Sequence, residues 1–303
     1  MVDCDPPPEV KSHLSEFESM IAATVRYLSL AVLACGWAMP TTAVWAEDLF
    51  PDKALEAAVR KEVFAKRNNA EPLTKDDVKN ISQVLAKGKG VKSLAGLENC
   101  VAVQEIDFED NEIADLAPLA GLKLVQSLTL AKNKIESIAP LAELERIQYL
   151  ELSNNSVSDL SPLAKMGNMR SLYLSDNKIT NIDVVKGLKK IWTLYLAGNK
   201  IGDFAPISDL RGLNMLDLRG CQLEKLDFLK PLTELNYLML AENKLTDLST
   251  LVEMAKGDTQ RRFAPYWRVY VYDNPLSDKA KGEQVAELKS INPRIYLEKP
   301  KPQ

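Results

Sequence analysis

Across 303 residues the side chains best suited to polar chemistry are few. His13 is the single histidine, and the four cysteines are Cys4, Cys35, Cys100 and Cys221. Zinc ligation and imidazole proton transfer need several such groups converging on one point, and downstream of His13 that material is missing. No glycine-rich phosphate loop is readable, nor a serine or cysteine nucleophile with a base, so a non-enzymatic protein without cofactor or resident metal is expected. The residues that stand out are amphipathic instead: Tyr149, Tyr173, Trp192, Tyr195, Met215, Tyr237, Met239, Arg268, Tyr270 and Tyr272. Such side chains present a large contact area at low entropy cost, and they dominate protein-binding surfaces.

Their positions follow a strict rhythm. Asn111, Asn133, Asn155, Asn177 and Asn199 are 22 residues apart, Cys221 falls where the next asparagine belongs, and Asn243 resumes the series. Apolar residues five and three before each asparagine, such as Leu150 and Leu152, have the period of two that sends strand side chains to one face. Further apolar positions recur at intervals of three, as in Ile179, Ile182, Val185 and Leu188, which suits a loose turn returning on the far side. This frame, L-x-x-L-x-L-x-x-N-x-I-x-x-L-x-P-L-x-x-L, is a leucine-rich repeat. One coil cannot bury its own apolar face. Coils must therefore stack, their short strands forming a parallel sheet on the concave wall of a curved α/β solenoid. The asparagine amide is expected inside, bonded to the backbone of its own and the adjacent coil, because a buried polar group left unpaired costs about 1–3 kcal/mol.

Residues six, four and two before the asparagine then face the concave side. Coil by coil they read Glu105, Asp107, Glu109; Ser127, Thr129, Ala131; Tyr149, Glu151, Ser153; Ser171, Tyr173, Ser175; Thr193, Tyr195, Ala197; Met215, Asp217, Arg219; Tyr237, Met239, Ala241; and Arg268, Tyr270, Tyr272. Small residues flank large ones, so the rings are expected to be accessible, with Tyr173 and Tyr195 about 5 Å apart and Trp192 at the strand edge. The acidic group Glu105, Asp107, Glu109 and Asp110 is expected to be a solvated rim, since no acid on the next strand closes a calcium cage. Cys100 and Cys221 lie five to six coils apart, roughly 25 Å at about 4.8 Å per strand, and are expected to be free buried thiols.

The flanks read differently. Residues 1–46 comprise a polar tail, an alternative start at Met20, an apolar run from Tyr27 to Ala38, and small residues ending at Ala46. Three readings stay open: a secretory signal cleaved after Ala46, a lipidated Cys35 in Val32-Leu33-Ala34-Cys35, or an uncleaved anchor. All of them place the repeats outside the cytoplasm, secreted or in the envelope or periplasm. This leader holds five acids and two bases, so the 37 acids and 36 bases that remain nearly cancel and leave no nucleic-acid footprint. Residues 47–80 read as a helical cap, with Asp52 heading one helix and Thr74 with Asp77 forming a capping box on a second. Repeats follow over 81–265, beginning weakly, with Lys89 in place of asparagine. The last repeat is lengthened by Lys256 to Trp267, expected to protrude as a loop with Arg261 and Arg262 at its tip. A final strand and helical cap over 266–298, the latter around Asp278 to Ser290, and a disordered tail over 299–303 complete the chain.

Leu49-Phe50-Pro51-Asp52-Lys53-Ala54-Leu55, Leu73-Thr74-Lys75-Asp76-Asp77-Val78 and Val91-Lys92-Ser93-Leu94-Ala95-Gly96-Leu97-Glu98, running into repeats that end like Asp115-Leu116-Ala117-Pro118-Leu119, resemble the bacterial internalin family. The resemblance spans residues 49 to 280. It implies a right-handed curved solenoid, exposed at a bacterial surface or secreted, that binds a protein through its concave face. No sorting motif, GW or SH3-like module, or immunoglobulin-like domain is read after the repeats, so wall anchoring and host invasion are not implied. Carbohydrate binding along the aromatic track is the alternative reading.

Overall fold

The computed structural model describes residues 48–291 and 294–299. The leader, with its signal, lipidation and anchor readings, lies outside the described residues, as does all but Lys299 of the C-terminal tail.

Ten parallel strands form one sheet in strict chain order. They are β1 Gln83–Leu85, β2 Glu105–Asp107, β3 Ser127–Thr129, β4 Tyr149–Glu151, β5 Ser171–Tyr173, β6 Thr193–Tyr195, β7 Met215–Asp217, β8 Tyr237–Met239, β9 Arg268–Tyr270 and β10 Ile295–Tyr296. From β1 to β8 each residue pairs with the one 22 positions on, as Leu150 with Leu172 and Leu172 with Leu194. The return path is a run of short 3-10 turns, including Ala117–Leu119, Ala139–Leu141 and Ser161–Lys165. Proline at the first positions of these turns costs nothing, because its missing N–H would have had no partner there. Between sheet and turns lies one continuous apolar core fed by every coil, from Phe50 to Ile295.

The asparagines join the coils. Asn177 Nδ2 donates to Leu152 O in the preceding coil (2.9 Å) and to Leu174 O and Ser175 O in its own (3.1 and 3.2 Å), while its Oδ1 accepts from Val157 N at 2.9 Å. The same four-bond pattern recurs at Asn133, Asn155, Asn199, Asn243 and Asn274. Each bend also places the preceding residue in the left-handed region, among them Asp110, Lys132, Asn154 and Asp176. The two coils that lack the asparagine differ together. After Lys89 and after Cys221 the following residue, Gly90 (φ 73°) or Gln222 (φ 61°), is left-handed as well. Cys221 Sγ reaches Leu196 O at 3.2 Å but brings no oxygen to accept an N–H from the preceding coil.

At the N-terminal end α1 (Lys53–Glu62) and α2 (Lys75–Val78) precede the first coil, the latter with the expected Thr74–Asp77 capping box. Asp52 does two jobs: one carboxylate oxygen accepts from Ala54 N and Leu55 N at the head of α1 (2.9 and 3.1 Å), the other from Lys92 N and Ser93 N in the first coil (2.7 and 3.1 Å). Leu55, Ala58 and Val59 face the core. Gly96 (φ 97°) lets the chain entering α1 lie against it, since a Cβ there would stand 2.0 Å from Leu49 O.

At the C-terminal end two expectations are corrected. Lys256 to Trp267 does not simply protrude. α3 (Ser249–Gly257) takes the place of the 3-10 turn, and Phe263, Ala264 and Trp267 are buried. The Asp258 carboxylate pins this return by accepting from Arg262, Phe263 and Ala264 N at 2.8 to 2.9 Å. Residues 278–291 are helical throughout, a π-turn at Ala280–Gln284 running into α4 (Val285–Ile291). Last, the chain turns back to add β10, which pairs with β9 through Ile295 and Val269.

Two outcomes follow from these bonds. Replacing Cys221 by Asn restores the missing acceptor and should raise stability by about 1–2 kcal/mol, read as a higher midpoint in urea unfolding. Asp52→Asn removes two of four acceptor contacts and should cost about 2 kcal/mol at pH 7. Burial raises the Asp52 pKa, but its backbone N–H donors outweigh burial and hold it below 3.8. The stability it contributes is thus present above 3.8 and lost as pH falls below it, so the gap between variant and wild type should close over that range.

Candidate functional site: the concave wall

The register decides which predicted residues meet. One row across the sheet runs Tyr149, Ser171, Thr193, Met215, Tyr237, Arg268, and the row beside it Glu151, Tyr173, Tyr195, Asp217, Met239, Tyr270, Tyr296. Leucines between them point into the core, so both rows stand on the open face.

Tyr173 is the centre of a three-ring cluster, with its centroid 5.3 Å from Tyr149 (tilted 46°) and 4.9 Å from Tyr195 (edge-on, 77°). Neighbours in these rows are short, Ser171 and Thr193, which leaves the rings half-buried rather than covered. Burial pushes the Tyr149 phenol up to about 12, with the nearby Glu151 carboxylate adding to it, and burial likewise raises Tyr195. Both phenols therefore stay protonated near neutrality and can donate hydrogen bonds. Glu151 is itself raised above the usual carboxylate range by burial, against hydrogen bonds from Ser153.

A second cluster stands toward the C-terminal end, where the Arg268 guanidinium lies over the Tyr237 ring at 4.9 Å and Tyr270 stacks on Tyr296 at 4.5 Å and 8°. About 14 Å separates Tyr195 from Tyr270, three strand spacings in one row. Met239 lies half-exposed in that interval, with Met215 beside it in the other row. Between the clusters Asp217 is fully buried and gripped by Arg219, whose Nε and Nη2 donate to both carboxylate oxygens at 2.6 to 3.1 Å. This hydrogen bonding raises the guanidinium pKa. Asp217 is thus a support for Arg219 and not a contact surface.

Tyr272 is a correction. Expected to be open, it is 6% exposed: Arg219 approaches it across the buried Ala241, too small to hold them apart. Trp192 is 57% exposed, on the rim where the chain enters β6 and outside the two rows. Tyr296 joins the wall outside the repeat period, its only sequence signal being the strand-like alternation of Arg294-Ile295-Tyr296-Leu297. In the acidic group, Glu109 is paired with Lys87 at 2.5 Å and Lys132 at 3.4 Å, and among the described residues no cluster of acids, cysteines or histidines could hold a metal ion. Cys100 and Cys221 are free and buried, which pushes both thiols up to about 12. No described helix is long and apolar enough to cross a membrane.

The fold is a leucine-rich-repeat solenoid: the leucine-rich-repeat family profile matches at residues 123–165, 145–190 and 167–212. Internalin C2 of Listeria monocytogenes is 30% identical, with a TM-score of 0.64 over 68% of this chain and 91% of that one. The chain belongs to the internalin-type leucine-rich-repeat proteins. More distant structures share the fold. A leucine-rich-repeat protein of Leptospira interrogans is 20% identical, with a TM-score of 0.58 over 69% of this chain and 57% of that one. The ectodomain of the Arabidopsis thaliana receptor kinase GASSHO1, solved with CASPARIAN STRIP INTEGRITY FACTOR 2, is 17% identical, with a TM-score of 0.57 over 75% of this chain and 31% of that one. Among curated proteins none matches the sequence.

Truncating Arg219 to Ala strands the buried Asp217 carboxylate and should cost about 3 kcal/mol in chemical unfolding, far more than removing a surface ion pair.

Proposed function

We propose that this protein is a non-enzymatic, extracytoplasmic binding module that holds a protein ligand on its concave wall. The contact residues are Tyr149, Tyr173, Tyr195, Met215, Tyr237, Met239, Arg268 and Tyr270, with Tyr296 added and Trp192 at the rim. The observation that carries the reading is the Tyr149–Tyr173–Tyr195 cluster, three half-buried rings in van der Waals contact on a sheet whose coils are bonded together. A pre-ordered aromatic surface loses little entropy on binding, and such rings supply most of the energy at protein interfaces. Internalin kinship and the leader sequence support a secreted or envelope location. The GASSHO1 ectodomain, solved with its own factor, is a protein of the same fold in a complex.

Glycan binding along the same track is less well supported. A sugar chain is held by ring faces lying side by side, and Tyr173 and Tyr195 meet edge-on at 77°. For a protein ligand captured by the full chain, Tyr173→Ala with Tyr195→Ala should weaken binding at least 30-fold, about 2 kcal/mol. The melting temperature should change little, because both rings are outside the core. Undiminished protein binding by the double variant, or loss of binding only on a glycan array, would refute the proposal.

A further inference from the structure

Along the edge of the sheet where each coil enters its strand, one column of residues runs Gln104, Gln126, Gln148, Arg170, Trp192, Asn214. Backbone bonds of 2.8 to 2.9 Å link Arg170 N to Gln148 O, Trp192 N to Arg170 O and Asn214 N to Trp192 O. The column changes character midway. Its first three members tie themselves together through side-chain amides at 3.3 and 3.4 Å. Arg170 and Trp192 are exposed instead, and Trp192 is one of five large apolar side chains that the described residues leave in solvent.

Around Trp192 the neighbouring turns contribute Arg146, Lys189, Lys190 and Arg211, all exposed. Lys190 Nζ spans to Asn168 Oδ1 of the previous coil at 2.8 Å, Arg211 Nη1 donates to Pro231 O at 3.1 Å, and Lys189 meets Asp209 at 3.5 Å. Arg146 and Arg170 form no salt bridge among the described residues. On the same turns stand Glu145, Asp209 and Glu234, the last at the far end and paired with Arg262, so five cations face three anions in a chain whose remainder is almost neutral. Arg170 and Trp192 each stand three residues before a ring of the central cluster, Tyr173 and Tyr195, about 10 Å along the strand.

We infer that this rim is the docking surface for an acidic peptide segment of the ligand, laid across Arg146, Arg170, Lys190 and Trp192 while the ligand's apolar residues cover the tyrosine wall. The inference rests on the protein-binding reading. It adds the chemistry of the partner: a run of carboxylates, for which Arg offers paired donors and Trp192 an apolar floor. A phosphate backbone is disfavoured as the occupant, because its charge runs on past the rim to Glu105, Asp107 and Glu151, whereas a short acidic segment gives way to apolar residues before it reaches them.

The test uses a fluorescein-labelled deca-glutamate peptide and the full chain at about 50 mM salt, read by anisotropy. Binding is expected, weakening at least tenfold between 50 and 300 mM salt. It should also weaken at least tenfold in an Arg146→Glu, Arg170→Glu, Lys190→Glu triple variant that retains the circular dichroism spectrum and melting temperature of wild type. Trp192→Ala should lose affinity several-fold. The Tyr173→Ala, Tyr195→Ala variant should keep deca-glutamate binding within twofold, which separates failure of the rim from failure of the wall. No binding, binding indifferent to the rim reversal, binding lost with the tyrosines instead, or equal affinity for deca-lysine or a ten-residue oligothymidylate would overturn the inference.

Discussion

One side-chain amide, repeated, holds this molecule in register. The asparagine at each bend donates to carbonyls of its own coil and the one before, and accepts an N–H from the preceding coil, so neither neighbour can slip or rotate without stranding buried polar groups. Leaving such groups unpaired costs about 1–3 kcal/mol apiece, comparable with much of a domain's net stability. The spacing of 22 residues, the left-handed residue before each asparagine and the in-register sheet are consequences of one geometry. Coils built on Lys89 and Cys221 show the dependence by exception, since each needs a second left-handed residue where the amide is missing.

In-register stacking converts sequence spacing into surface. Tyr173 and Tyr195 lie edge to face because they are 22 residues apart, and Tyr149 joins them on the diagonal. The wall is not uniform: the Asp217–Arg219 pair divides the aromatic cluster of β4 to β6 from the Tyr237–Arg268 and Tyr270–Tyr296 pairs beyond it. The wall offers apolar rings at the centre, cations on one rim and carboxylates toward the first coils. On the proposed reading that pattern would set a ligand's orientation as well as its affinity.

How much could be read beforehand depended on whether period or packing was in control. Where the period ruled, from Val103 to Leu251, strands, core positions and the asparagine bonds were all legible, as were the Asp52 and Thr74 caps, whose side-chain chemistry is local. Where the period lapsed, tertiary packing decided. The inserted stretch after Lys256 looked like a loop, yet Phe263 and Trp267 are apolar enough to be pulled into the core once Asp258 ties the backbone down. β10 carries no asparagine, so the period does not mark it. Alternation alone puts Tyr272 on the open face, and it says nothing of a neighbour as small as Ala241 or a reach as long as that of Arg219. Asp217 likewise carried the pattern of a surface residue and is buried by its partner.

The claim that most needs testing is that the inner wall, and not the outer face of the solenoid, meets the ligand. A photo-crosslinking amino acid placed in turn at Tyr173, at Tyr237 and at the outward-facing Asp183 reports this directly, using ligand isolated with the unmodified full chain. Adducts with the same ligand from the first two positions and none from Asp183 are the predicted result. Adducts from Asp183 alone, or equally from all three, would contradict it.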